Sequence, residues 1–132
     1  DLGDVGYLDA AGRLFVVGRD DEMIVSGGEN VYPIEVEKAL ASHPDVAEAA
    51  VIGVDDTEYG QRLVAFVVLV EGRKKTTRTE ASLKKHVKEN LANYKVPRSI
   101  TVLPELPRNS TGKLPRNHLQ ALYADKVTHA GR

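Results

Sequence analysis

The sequence contains no cysteine, which excludes disulfides, thiolate metal sites and a cysteine nucleophile and fits a cytosolic (cytoplasmic) setting. It also lacks a long apolar run. The longest, residues 63–70, is eight residues, against the roughly 20 a helix needs to span a bilayer, so no transmembrane segment is expected. Nor is there an excess of one charge. Eighteen basic against nineteen acidic residues give a net charge of −1, with no overall pull toward nucleic acid or an anionic membrane. His43, His86, His118 and His129 have no metal-ligand spacing, so no metal is assigned to them.

What is present is an ordinary globular composition, 42% hydrophobic over 132 residues, enough for one domain with its own core. The chain begins at Asp1 and reads as if cut from something longer. Residues 5–17 form a candidate hairpin around a turn at 9–12, and Met23-Ile24-Val25 a short strand that ends at Ser26-Gly27-Gly28. Pro33 opens a helix with Val36, Ala39 and Leu40 on one face, stopped by His43-Pro44. Residues 46–54 and 63–70 read as two strands that pair across the polar turn 55–60. After a charged loop, Thr77 and Glu80 suggest a capping box for a helix whose apolar stripe is Leu83, Val87 and Leu91, ending before Pro97. Residues 99–103 are a further strand, and Leu119, Leu122 and Tyr123 mark a last helix. The expected class is α+β: a small mixed sheet of about three central strands flanked by helices, preceded by a β-hairpin.

The chemistry concentrates in the loop Pro107-Arg108-Asn109-Ser110-Thr111-Gly112-Lys113. It places one lysine at the end of a polar turn, braced by a helix that Pro115 can open. Such an arm can carry a compact positive charge to a phosphate or carboxylate. Taken alone, Ser-Thr-Gly-Lys is most simply a surface turn. A Walker phosphate loop fails, because Pro107 stands where its first glycine belongs and Leu114 where its Ser/Thr would hold magnesium.

Three other segments have both bland and functional readings. Asp4, between Gly3 and Val5, is a turn aspartate or a ribose-diol acceptor. Gly18-Arg19-Asp20-Asp21-Glu22 is an exposed charge cluster or a hinge. Gly27-Gly28 is a plain connection or a place where backbone approaches a ligand closely.

In order, Gly-Asp, hairpin, Gly-Arg-x-Asp, Ser-Gly-Gly-Glu-Asn-Val-Tyr-Pro-x-Glu-Val-Glu, Tyr-x-Val-Pro at Tyr94 to Pro97, and Pro-x-x-Ser-x-Gly-Lys-x-x-Arg resemble the C-terminal part of the adenylate-forming (AMP-binding) superfamily. The likeness runs to about residue 125 and is nearest the acyl-CoA synthetases, or fatty-acid–CoA ligases. It implies an ATP-dependent acid–thiol ligase in which a carboxylic acid and ATP give an acyl-adenylate and pyrophosphate, and CoA then displaces AMP to form a thioester. A small C-terminal lid turns between the steps. By position, Lys113 corresponds to the adenylation lysine, Asp4 and Arg19 to ribose-binding residues, and Asp21 to the hinge. Gly27, Gly28, Glu29 and Asn30 match the CoA-step loop beside the pantetheine tunnel. Residues 1–20 would be the terminal hairpin of a large N-terminal domain, and residues 21–132 the lid.

The resemblance makes ATP, CoA and a fatty or related carboxylic acid the substrates and the protein's own N-terminal adenylation domain the partner. Mg2+ would be held by that domain. Its glycine-rich phosphate loop and Thr-Glu magnesium motif are not among these residues, so the chain alone is expected to be inactive. Leu2 also stands where Thr or Ser usually precedes Gly-Asp. The rival reading is a free-standing, non-catalytic interaction or regulatory module of the same fold. Tyr94 reads as a packing residue, and Arg73, Lys74, Lys75 and Arg78 as a solvated edge with CoA 3′-phosphate contact as the lesser option.

Overall fold

The computed structural model describes residues 6–8, 14–16, 23–108 and 116–130, and the side chains of 23–108 and 117–127. Strand β1 (Gly6–Leu8) pairs antiparallel with β2 (Leu14–Val16), with Tyr7 opposite Phe15. Strand β3 (Ile24–Ser26) turns directly into β4 (Glu29–Val31), a strand that the sequence pattern does not signal. Helix α1 (Pro33–Ala41) follows, with proline in its first turn, where a missing N–H costs nothing. The Glu35 carboxylate accepts the Tyr32 amide at 3.3 Å there. At the other end the Ser42 hydroxyl donates to the Ala39 carbonyl at 2.7 Å before Pro44 prevents continuation.

The central sheet has the order β5-β6-β7. Strands β5 (Val46–Asp56) and β6 (Gly60–Leu69) form the long hairpin, and β7 (Ser99–Val102) runs parallel to β6. A parallel neighbour requires a crossover, and helix α2 (Thr79–Asn90) with the 3-10 turn Asn93–Lys95 provides it. Helix α3 (Arg116–Ala130) closes the chain's described part.

From Leu63 to Leu69 strand β6 is apolar without interruption, because there the sheet is buried on both faces. One face sets Ala49, Val51, Leu63, Ala65, Val67 and Ile100 against Ile24, Val31, Val36, Leu40, Leu83 and Val87 from β3, β4, α1 and α2. The other sets Ala50, Ile52, Val64 and Phe66 against Leu106 and Leu119, which docks α3. A bulge between Val46 and Glu48 puts one extra residue into β5. It lets Val46 and Ala49, an odd spacing, share one face.

The capping box expected at Thr77 and Glu80 does not form. Helix α2 starts at Thr79, with no side-chain cap bond. Thr79 Oγ1 accepts the Thr76 amide at 2.8 Å, and Thr76 Oγ1 accepts that of Arg78 at 3.1 Å. Glu80 turns instead to the Ile100 amide on the outer edge of β7, at 2.9 Å. A half-buried sheet-edge amide has fewer alternative partners than a helix start, whose orphan N–H groups water can reach.

Candidate active-site cleft

The β3–β4 turn consists of Gly27 and Gly28 alone, with φ of +59° and +82°. A two-residue hairpin turn with both φ positive matches the right-handed twist of its strands, and glycine adopts it without steric cost. The two glycines differ in their surroundings. A Cβ on Gly27 would lie 3.0 Å from Tyr59 Cδ1, whereas one on Gly28 would meet nothing within 4 Å. Gly27 also donates its N–H to the Tyr59 carbonyl at 3.0 Å, and Val25 donates to Gln61 Oε1 at 3.0 Å. The glycine hairpin is thus docked on the turn that joins β5 to β6.

Asp56 organises that turn. Its Oδ1 accepts the Glu58 and Tyr59 amides at 2.9 and 2.8 Å, and its Oδ2 accepts Arg62 Nε at 2.9 Å and Arg98 Nη1 at 3.2 Å. The Tyr59 amide, helped by those of Glu58 and the Arg62 guanidinium, holds the Asp56 carboxyl below its ordinary range against the opposing effect of desolvation. The Arg62 guanidinium lies over the Tyr59 ring, 3.9 Å from its centroid.

Between the glycine hairpin, this turn and the 3-10 turn lies a cleft of about 410 Å³. It is lined by Ser26, Gly27, Glu29, Tyr59, Arg62, Leu63, Asn93, Tyr94, Val96 and Arg98. Two guanidinium groups and two aromatic rings face a glycine turn, an arrangement suited to a ligand with phosphates and a planar base. Tyr94 is not the packing residue expected from sequence, since it is 43% exposed and lines the cleft. Beside it, Lys95 Nζ donates to Glu35 Oε1 at 2.6 Å, and that bond raises the lysine's pKa.

Residues 35–113 match the family described as AMP-binding enzyme C-terminal domain. The chain belongs to this family. It is 51% identical over 120 residues to a 2-succinylbenzoate–CoA ligase of Geobacillus kaustophilus, covering 91% of the chain and 24% of that protein. It is 48% identical over 123 residues to the ligase of the same name from Bacillus cereus, covering 93% of the chain and 24% of the relative. Among solved structures, apo MatB from Rhodopseudomonas palustris superposes with a TM-score of 0.75 at 36% identity, over 93% of this chain and 24% of that one. The o-succinylbenzoate CoA synthetase (MenE) from Bacillus subtilis, in complex with the acyl-adenylate OSB-AMP, does so at 0.70 and 47% identity, over 89% and 23%. The chain therefore spans about a quarter of the length of these relatives.

Of the site residues expected from sequence, this AMP-binding C-terminal domain sets Gly27 and Glu29 on the cleft. Gly28 faces open space and Asn30 pairs with Val25. Lys113, Asp4, Arg19 and Asp21 lie outside the described residues. Sequence reading missed Asp56, Tyr59, Arg62 and Arg98, whose one signal was the polar turn at 55–60. Arg73, Lys74, Lys75 and Arg78 are exposed, and Arg73 pairs with Asp45 at 3.2 Å. Among the described residues no set of three His, Cys, Asp or Glu side chains could hold a metal ion. No helix among them is long and apolar enough to cross a membrane.

Proposed function

We propose that this chain is the mobile C-terminal domain, residues 21–132 with the terminal hairpin 1–20 of the preceding domain, of a longer ATP-dependent acid–CoA ligase. The observation that carries this reading is the 51% identity, over 91% of the chain, to a protein named 2-succinylbenzoate–CoA ligase. In the first step an acid carboxylate attacks the α-phosphorus of ATP and pyrophosphate leaves. Lys113 neutralises the charge that builds on the carboxylate and α-phosphate, Asp4 and Arg19 hold the ribose, and Mg2+ is bound by the N-terminal adenylation domain. In the second step the domain turns about Asp21 and presents the Gly27-Gly28-Glu29-Asn30 hairpin. The CoA sulfur attacks the acyl carbonyl and AMP leaves. The glycine turn borders the pantetheine arm, while Arg62 and Arg98 meet CoA phosphates and the Tyr94 ring the adenine.

The first acid to try is 2-succinylbenzoate, ahead of fatty acids. Identity to ligases of that name is 48–51%, against 36% to a fatty acyl CoA synthetase of Mycobacterium tuberculosis. The test is an assay of the full-length protein with ATP, CoA and each acid, reading AMP and thioester. Acid-dependent formation of both is expected. A folded full-length protein that makes neither adenylate nor thioester from any acid of the panel sinks the reading and favours a non-catalytic module.

A further inference from the structure

We infer that Asp56 is a positioning residue for the thioester-forming step, holding the glycine turn and the two cleft arginines in register with one another. This rests on the ligase reading above and adds to it a residue that touches no substrate.

Four donors converge on one carboxylate: two backbone amides on Oδ1 and two guanidinium groups on Oδ2. Only a carboxylate offers both oxygens as acceptors at this length, since an asparagine would replace one of them by a donor. On the Oδ1 side the bonds fix Tyr59, whose carbonyl takes the Gly27 amide and whose ring lies 3.0 Å from where a Gly27 Cβ would be. On the Oδ2 side they bring together two like charges that would otherwise repel. Each guanidinium uses one of its five N–H donors on Asp56, so others can reach an anion in the cleft. Asp56 itself is 15% exposed and outside the cleft lining, whereas Arg98 is 54% exposed and on it. The carboxylate thus sits behind the arginines and aims them, as outer partners orient ligating groups elsewhere.

The two roles can be separated in the full-length protein. Asp56→Asn keeps an oxygen for the Glu58 and Tyr59 amides but turns N–H donors toward Arg62 and Arg98. Its KM for CoA should rise about tenfold. KM for pantetheine, which carries no phosphate, and the rate of acyl-adenylate formation should move by less than about twofold. Asp56→Ala, which also frees the turn, should raise KM for both thiols. Arg98→Gln should reproduce the CoA-selective defect, and adding Asp56→Asn to it should cost less than in the wild type. Equal shifts for CoA and pantetheine in Asp56→Asn, no shift in either, or a matching loss of adenylate formation would each overturn the assignment and leave the ligase reading standing. A wild-type protein that forms adenylate but no thioester overturns this assignment, and one that forms neither overturns both.

Discussion

The Glu80 carboxylate accepts the Ile100 amide at 2.9 Å, so a residue of α2 closes the outer edge of β7. At the opposite edge of the sheet, buried Glu37 of α1 accepts the Val51 amide of β5 at 2.9 Å. Two helices thus cover the open edges of a three-stranded sheet with carboxylates, one of the ways a small sheet avoids pairing with other chains.

Removing Glu80 tests this. Burial works to raise its pKa, but the Ile100 amide and Lys84 outweigh it and hold the carboxyl below its ordinary 4.5. A depressed folded-state pKa gives stability that is complete above the unfolded value and fades as pH falls through the folded one. Glu80→Ala should destabilise the domain by about 0.5–1.5 kcal/mol near neutral pH, since the Ile100 amide loses its acceptor while water can partly replace a carboxylate that is 43% exposed. It should also flatten the decline in stability below about pH 4.5. Urea denaturation at several pH values checks both.

Gly27 and Gly28 should separate. Both have positive φ, so alanine strains either by about 1–2 kcal/mol. Only at position 27 does the new methyl also meet the Tyr59 ring, at 3.0 Å. Gly27→Ala should slow thioester formation from supplied acyl-adenylate several-fold more than Gly28→Ala, with adenylate formation little changed in both. Stopped-flow measurement of the CoA step decides it, and equal effects would show that backbone strain alone matters.

Much of this fold is legible in the sequence where a local signal meets no tertiary competitor. Pro33 and His43-Pro44 bracket α1, and the apolar run 63–70 declares a strand buried on both faces. Strand β4 is not legible, because Glu29, Asn30 and Val31 are too few to show a period, and Gly27-Gly28 read as a ligand loop where it is also a hairpin turn. Glu80 was readable as a helix cap, but its partner Ile100 lies 20 residues away. The Asp56 network escapes for the same reason: Arg62 and Arg98 stand six and 42 residues along the chain, and no spacing rule joins them.

Helix α3 is anchored through Leu119, which is fully buried against the face carrying Ile52 and Phe66. Leu119→Ala should cost about 2–5 kcal/mol, the usual range for a buried leucine whose site cannot collapse. Hydrogen exchange should show α3 amides losing protection while those of β6 keep most of theirs. Uniform loss across both would mean that helix and sheet open as one cooperative unit.

Lys113 follows the sheet and precedes α3, and it is the residue on which adenylation is proposed to depend. An ammonium group preorganised for the charge of the transition state typically contributes on the order of 10²–10³ in rate, roughly 3–4 kcal/mol. Lys113→Ala in the full-length protein should therefore cut acyl-adenylate formation about 10²–10³-fold. Thioester formation from supplied acyl-adenylate should stay within a few-fold of wild type, because that step is proposed to use the cleft of Gly27, Arg62 and Arg98 instead. Pyrophosphate release reads the first half-reaction and CoA consumption the second. If both fall together, one lysine serves both steps and the division between arm and cleft is wrong. If neither falls, the charge that stabilises adenylation comes from elsewhere in the protein.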